Sequence, residues 1–207
     1  MENSEKVIPA GKCRVIGLTG GIGTGKSTVS RYLSEKGCKI VDADKIAHEL
    51  TAEGSPLLPV LAENFGQDVL CNDGTLDRKK LASIVFSDKE KKKRLDEIMH
   101  GRIRMIVEQK IEAYAGEGEK TVILDVPLLF ETGMDNLCES VIVVDADEEV
   151  RIGRVVERDN TSAELVKARI RNQMSSEEKR RRADFVIDNS YGLSQLYENI
   201  DAVIKLF

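Results

Sequence analysis

Tryptophan is absent from the 207-residue chain, and aromatic residues make up only 4% of it. A core built from this sequence must be aliphatic, and there is no supply of rings on which single-stranded nucleic acid could stack. Cysteine is equally sparse. Cys13, Cys38, Cys71 and Cys138 are scattered with no C-x-x-C pair, which excludes a zinc-ribbon pattern and a disulfide framework and fits a reducing, cytoplasmic setting. Positive charge is not in excess: 31 Lys and Arg stand against 36 Asp and Glu, a net charge of −5. A broad basic footprint for DNA or RNA is thereby excluded. No apolar run approaches the ~18 residues of a membrane span, and the polar start has no signal-peptide core. The expectation is a soluble cytoplasmic protein with neither nucleic-acid nor membrane partners. The oligomeric state is not legible, a monomer being slightly favoured.

What is present is organised around residues 15–28. An apolar, β-favouring run enters a loop with glycines at 20, 21, 23 and 25, and Lys26-Ser27-Thr28 opens a helical pattern. From Gly20 to Ser27 the spacing is Gly-x-x-x-x-Gly-Lys-Ser, the phosphate-binding loop signature. Glycines let backbone N–H groups approach phosphate oxygens, and the helix adds unsatisfied N–H groups and the positive end of its dipole. Gly23, Thr24, Gly25, Lys26, Ser27 and Thr28 are the candidate ATP-binding residues. Lys26 can reach the β- and γ-phosphates as a point charge, and the Ser27 hydroxyl suits Mg²⁺.

Along the chain, strands are expected at 14–19, 39–42, 121–125, 140–145 and 184–188. Helices are expected at 26–36, at 45–52 with Asp44 as cap, through 57–115 apart from a turn at 71–75, at 148–176, and at 193–206. Five short apolar strands alternating with helical stretches give an α/β fold, a parallel sheet with helices on both faces. Insertions follow the second and fourth strands, where ligands bind in open sheets.

A phosphate-binding loop serves switch GTPases, motors and small-molecule kinases alike. The guanine-reading Asn-Lys-x-Asp is absent, and the third strand runs into Asp125-Val126-Pro127-Leu128 and not Asp-x-x-Gly; a switch GTPase is excluded on these grounds. Asp42-Ala43-Asp44 follows the second strand, and phosphoryl transfer to a hydroxyl needs a carboxylate that orients the alcohol and takes its proton. One of the two carboxylates is expected to face the site; helix capping is the other role open to both. Arg151, Arg154 and Arg158 share a helical face, which suits either a lid over the transferring group or a solvated surface. Asp125 ends an apolar strand and suits water-mediated Mg²⁺ binding or a plain strand end. His48 and His100 read as ordinary helix histidines. Lys89–Arg94 and Lys179–Arg182 read as charged helix segments, although an arginine of the latter could flank an adenine.

In order along the chain, the phosphate loop, Val41-Asp42-Ala43-Asp44-Lys45-Ile46-Ala47, Asp73-Gly74-Thr75-Leu76-Asp77-Arg78, Val126-Pro127-Leu128-Leu129-Phe130-Glu131, Arg154 with Arg158-Asp159, Gln173, and 183–189 together resemble the dephospho-coenzyme A kinase family. The resemblance runs from about Val15 to Asn189. It implies phosphorylation of the ribose 3′-hydroxyl of dephospho-coenzyme A by ATP with Mg²⁺, the last step of coenzyme A synthesis. It implies a phosphate-binding-loop kinase fold: an arm at 1–13, a nucleotide-binding core at 14–56, 116–147 and 178–207, a helical acceptor-binding insert at 57–115, and a lid at 148–177. By motif, Lys26, Asp44 and Arg154 are the catalytic residues, with Asp44 the base. Asp44, Arg78 and Leu128 meet the acceptor, and Ser27 and Asp125 meet the metal. The family usually has His-Pro where this chain has His100-Gly101. Two rivals differ in class: a kinase for shikimate or another small alcohol, and a regulatory module that binds ATP without transferring it.

Overall fold

The structure is a computed structural model and describes residues 13–206. Apart from Cys13, the expected arm lies outside the described residues. Five strands, β1 (Arg14–Gly20), β2 (Lys39–Asp42), β3 (Thr121–Asp125), β4 (Ser140–Asp145) and β5 (Phe185–Asp188), are joined by helices α1 (Lys26–Glu35), α2 (Ala43–Leu50), α3 (Leu57–Phe65), α4 (Arg78–Phe86), α5 (Lys89–Gly116), α6 (Glu148–Asp159), α7 (Ala163–Arg171), α8 (Ser176–Arg182) and α9 (Leu193–Ile204). The described residues divide into two compact units, 13–41 with 110–206, and 42–109.

In the first unit the strand order is β2-β3-β1-β4-β5. The pairings of β1 with β3, β1 with β4, and β4 with β5 are all parallel. β1 is central and buried from Val15 onward, as an apolar run covered on both faces must be. Alternation along it separates two packing surfaces. Ile16 and Leu18 join Val29 and Leu33 of α1, Ile123, Ile142, Val144 and Ile187 of the sheet, and Leu196 and Ile200 of α9 in one aliphatic cluster. On the other face stands Gly17, where an added Cβ would lie 2.8 Å from Leu129 and 2.9 Å from Cys138 Sγ. That glycine lets the segment after β3 lie flat on the sheet. The register sets Leu18 opposite Asp125, and Gly20 opposite Val144. The ends of β1, β3 and β4 therefore come together at the carboxyl edge of the sheet, under the glycine-rich loop.

The second unit is helical. It contains an isolated bridge between Leu70 and Leu76 that closes the expected turn at 71–75. Its helical stretch is broken twice more than expected, at Gly66 (φ 105°) after α3 and at Ser87-Asp88 before α5. The expected helix 148–176 is also split, because Asn160 takes a left-handed conformation (φ 48°) that ends α6; Asn tolerates that region better than most residues do.

Candidate active site

Gly25 (φ 87°) caps α1 with no side-chain bond, and Gly23 has φ 79°. Both lie in the region that favours glycine. Space enforces the same choice: a Cβ on Gly25 would sit 2.2 Å from Asn189 Nδ2, and one on Gly23 2.6 Å from the Arg151 carbonyl. The loop carbonyls are taken up by neighbours. Thr24, 1% exposed, donates its hydroxyl to the Gly21 carbonyl at 2.9 Å, and Asn189 Nδ2 donates to the Thr24 carbonyl at 2.8 Å. The first-turn amides of α1, including those of Lys26 and Ser27, have no acceptor within the helix. This leaves a cradle of backbone donors at a positive helix end, the arrangement that binds a phosphate chain.

Lys26 extends from α1 to an ion pair with Asp125. Asp125 is buried at the end of β3, so a carboxylate read as a possible strand-end group is the seat of the loop lysine. The chain beyond it is fixed by Val126 N–H to the Leu18 carbonyl at 3.0 Å and the Thr19 hydroxyl to the Pro127 carbonyl at 3.0 Å. Lys179, 2% exposed, pairs with Glu131 at 3.0 Å and reaches the Pro127 carbonyl at 3.4 Å. Leu128 between them is exposed.

The three arginines of α6, left open between a lid and a solvated surface, have three different surroundings. Arg151 is buried and donates Nε to the Ile22 carbonyl at 3.0 Å and Nη1 to Ser176 Oγ at 2.9 Å. Burial lowers its pKa, opposed by the charges of Asp145 and Glu148. Arg158 is spent on Asp159, at 2.7 and 3.1 Å, which Arg169 shares at 3.0 Å; these pairs hold the pKa of Asp159 below the ordinary carboxylate value. Of the three, Arg154 is the one with a buried donor that has no partner among the described residues. Its Nη2 bonds the Asn189 carbonyl at 2.9 Å, while Nη1 is buried and has no partner among the described residues. That nitrogen lies 3.9 Å from the point a Cβ on Gly25 would occupy. The cause of the divergence is close packing, since α6 lies with the backbone of Arg151 directly on Gly23.

The basic run of α8 is likewise committed locally. Arg180 binds Asp145 at 2.5 Å, Arg181 binds Glu178 at 2.8 Å, and Arg182 binds Asp135 at 3.0 Å while stacking on Phe130.

In the second unit, Asp42 caps α2 by accepting from Lys45 N–H at 2.9 Å, so the helix starts at Ala43, ends at Leu50, and has Asp44 exposed in its first turn. Asp42, not Asp44, is the cap because the strand runs straight into the helix with no intervening turn. Arg78, beginning α4, donates to Thr51 Oγ1 at 2.6 Å. It lines a cavity of about 260 Å³ whose other walls include Leu61, Leu76, Leu81, Leu95 and Met99. His48, His100 and the run Lys89–Arg94 are exposed.

With this geometry in place, the family model for dephospho-CoA kinase matches residues 14–195. The chain belongs to the dephospho-CoA kinase family. A dephospho-CoA kinase of Fusobacterium nucleatum is 43% identical over 187 residues, 90% of this chain and 95% of the relative. Among solved structures, TT1252 from Thermus thermophilus has TM-score 0.82 at 35% identity and covers 95% of this chain and 98% of its own. Dephospho-CoA kinase from Campylobacter jejuni has TM-score 0.70 at 33% identity, with 92% and 95% covered.

Some site residues of this family member had no individual signal in the sequence. Asn189 reads as the residue after a strand, yet it bonds Thr24 and, through its carbonyl, Arg154. Gln173 stands among the family motifs without a role; it accepts from the Ile22 amide at 3.0 Å.

Proposed function

We propose that this kinase transfers the γ-phosphoryl group of ATP to the ribose 3′-hydroxyl of dephospho-coenzyme A. As a member of its family the chain phosphorylates dephospho-CoA to CoA, the final step of CoA biosynthesis. The observation that carries the donor side of this reading is Arg154 Nη1, a buried donor with no partner among the described residues, beside the phosphate loop. An unsatisfied buried guanidinium nitrogen costs roughly 1–3 kcal/mol or more, and a phosphate oxygen of bound nucleotide supplies the missing acceptor.

In this reading Gly23, Thr24, Gly25, Lys26, Ser27 and Thr28 cradle the triphosphate. Lys26 exchanges Asp125 for the β/γ-phosphates, and Lys26 and Arg154 balance the charge of a loose, in-line transfer. Asp44 orients the acceptor hydroxyl and takes its proton as the bond to phosphorus forms. Arg78 and Leu128 meet the acceptor. The apolar cavity beside Arg78 suits the uncharged arm of dephospho-coenzyme A, and the guanidinium suits its pyrophosphate. Residues 57–115 serve as the acceptor-binding insert, 148–177 as the lid, and the remaining described segments as the nucleotide-binding core.

Ser27 and Asp125 offer the hard oxygen donors that Mg²⁺ prefers. Among the described residues no group of three or more His, Cys, Asp or Glu could hold a metal, so phosphate oxygens and water would complete the shell, as is usual for Mg²⁺ on a nucleotide. Bound there, Mg²⁺ supplies charge neutralisation on the β- and γ-phosphates.

ADP release coupled to NADH oxidation, measured with and without dephospho-coenzyme A, tests the reading. Turnover that depends on this acceptor supports it. Equal ATP turnover without acceptor overturns it; no turnover with the acceptor overturns it and returns the regulatory-module reading, and turnover with shikimate instead returns the small-alcohol kinase. Among the described residues no helix is long and apolar enough to cross a membrane, and the enzyme works in the cytoplasm in this reading.

A further inference from the structure

The two peptide groups that flank Ile22 in the phosphate loop are each held by a side chain from the distant segment after β4. The Ile22 carbonyl accepts Arg151 Nε at 3.0 Å, and the Ile22 N–H donates to Gln173 Oε1 at 3.0 Å. Arg151 is in turn fixed by Ser176, whose hydroxyl donates to Asp145 Oδ1 at 3.1 Å, and the other oxygen of Asp145 takes Arg180. The fit is close: a Cβ on Gly21 would lie 2.5 Å from Arg151 Nη2 and 3.5 Å from Gln173 Oε1. A backbone stretch rich in glycine has many conformations to lose when it binds phosphate. Fixing two successive peptides, one by its N–H and the next by its carbonyl, restrains the φ and ψ of Ile22 between them and removes that freedom in advance.

We infer that Arg151 and Gln173 are positioning residues that clamp the two peptide groups flanking Ile22 and hold the phosphate loop in its triphosphate-ready shape, without touching the acceptor. The inference rests on the loop as donor site in the proposed function. It assigns Gly21 a second duty, which is to make room for the clamp.

The test uses the full chain with Gln173→Leu, Arg151→Met and Arg151→Lys. MgATP binding is measured by calorimetry without acceptor, steady-state kinetics are measured for each substrate, and thermal melting is recorded. Loss of a neutral hydrogen bond such as that of Gln173 corresponds to about two- to tenfold, and loss of one to a charged group such as Arg151 to about tenfold or more. Both apolar variants are expected to weaken MgATP by about these factors, with KM for dephospho-coenzyme A unchanged and Gln173→Leu melting close to the parent. Arg151→Lys, which keeps a donor, is expected to recover part of the loss. Gly21→Ala is expected to cost less affinity in an Arg151→Ala background than alone. Unchanged MgATP binding in Gln173→Leu, equal losses for both substrates, no recovery with lysine, or additive effects of Gly21→Ala and Arg151→Ala would each overturn the clamp. A parent protein that binds MgATP but transfers nothing to dephospho-coenzyme A would instead overturn the proposed function and leave the clamp measurable by calorimetry.

Discussion

The ammonium of Lys26 is seated on the buried carboxylate of Asp125, joining the first helical residue of the phosphate loop to the last residue of β3. Lys26, the proposed phosphate ligand, is therefore also one half of a nearly buried ion pair. Replacing it leaves a charge in the core whose desolvation was offset in part by the lysine.

Lys26→Met is accordingly expected to lower kcat at least a hundredfold and to destabilise the fold by at most roughly 3 kcal/mol. Asp125→Asn added to Lys26→Met removes the stranded charge and should recover more than half of the lost stability while recovering no activity. Urea denaturation of the two variants checks the first part and ADP release the second. Equal stability of the single and double variants would show that the pair does not contribute.

Arg154 predicts the opposite split. One of its nitrogens already lacks a partner among the described residues, so Arg154→Met removes a buried polar group along with one bond to Asn189. Stability should change by less than about 1 kcal/mol, while kcat/KM for ATP should fall on the order of a hundredfold. Arg158→Met, whose guanidinium serves Asp159 on the surface, should leave ATP kinetics within about twofold. Steady-state kinetics of the two variants side by side distinguish the arginine that waits for a ligand from the one that does not.

These two arginines mark where sequence reasoning ended. The glycine spacing determined the loop, and apolar runs determined five strands, because both are local patterns that backbone geometry enforces. Helical periodicity placed Arg151, Arg154 and Arg158 on one face, but it carries no information on what that face meets. Contact with Gly23 turned Arg151 into a structural clamp, and the left-handed residue Asn160 ended the helix beside Arg158. Asp42 and Asp44 were open for a similar reason: a strand running directly into a helix moves the cap back by two residues. Asn189 and Gln173 entered only as parts of family motifs without roles, since the loop groups they hold, the Thr24 carbonyl and the Ile22 amide, lie more than 150 positions away as backbone groups with no side-chain signature.

The cysteines give a prediction that needs no activity. Cys71 is exposed, Cys38 is half-buried, and Cys13 and Cys138 are buried. Burial pushes the pKa of the Cys38 thiol up, and the thiolate is the reactive form. Alkylation of the native protein at neutral pH should label Cys71 first. Cys38 should follow slowly, its rate still climbing at a pH where an ordinary thiol has levelled off. Cys13 and Cys138 should react only on unfolding. Mass spectrometry of a timed iodoacetamide reaction at several pH values reads all four; early labelling of Cys138 would contradict the packing of Gly17 against it.

Gly101, where the resemblance implies a proline, lies inside α5, which runs unbroken from Lys89 to Gly116. Nothing lies within 4 Å of the Cβ it lacks, and its backbone is not among those with positive φ. The glycine therefore serves neither a turn nor a close approach, and its cost is the freedom it gives the unfolded chain. Gly101→Ala should stabilise the protein by about 0.5–1 kcal/mol. Gly101→Pro would remove the amide needed in the middle of a helix and set its ring against the carbonyl four residues earlier, at a cost of about 3 kcal/mol. Urea denaturation of both variants beside the parent reads the two signs. A stabilising proline would mean that the helix is already broken at His100 in solution, as the His-Pro pattern of the family suggests, and that α5 is two helices.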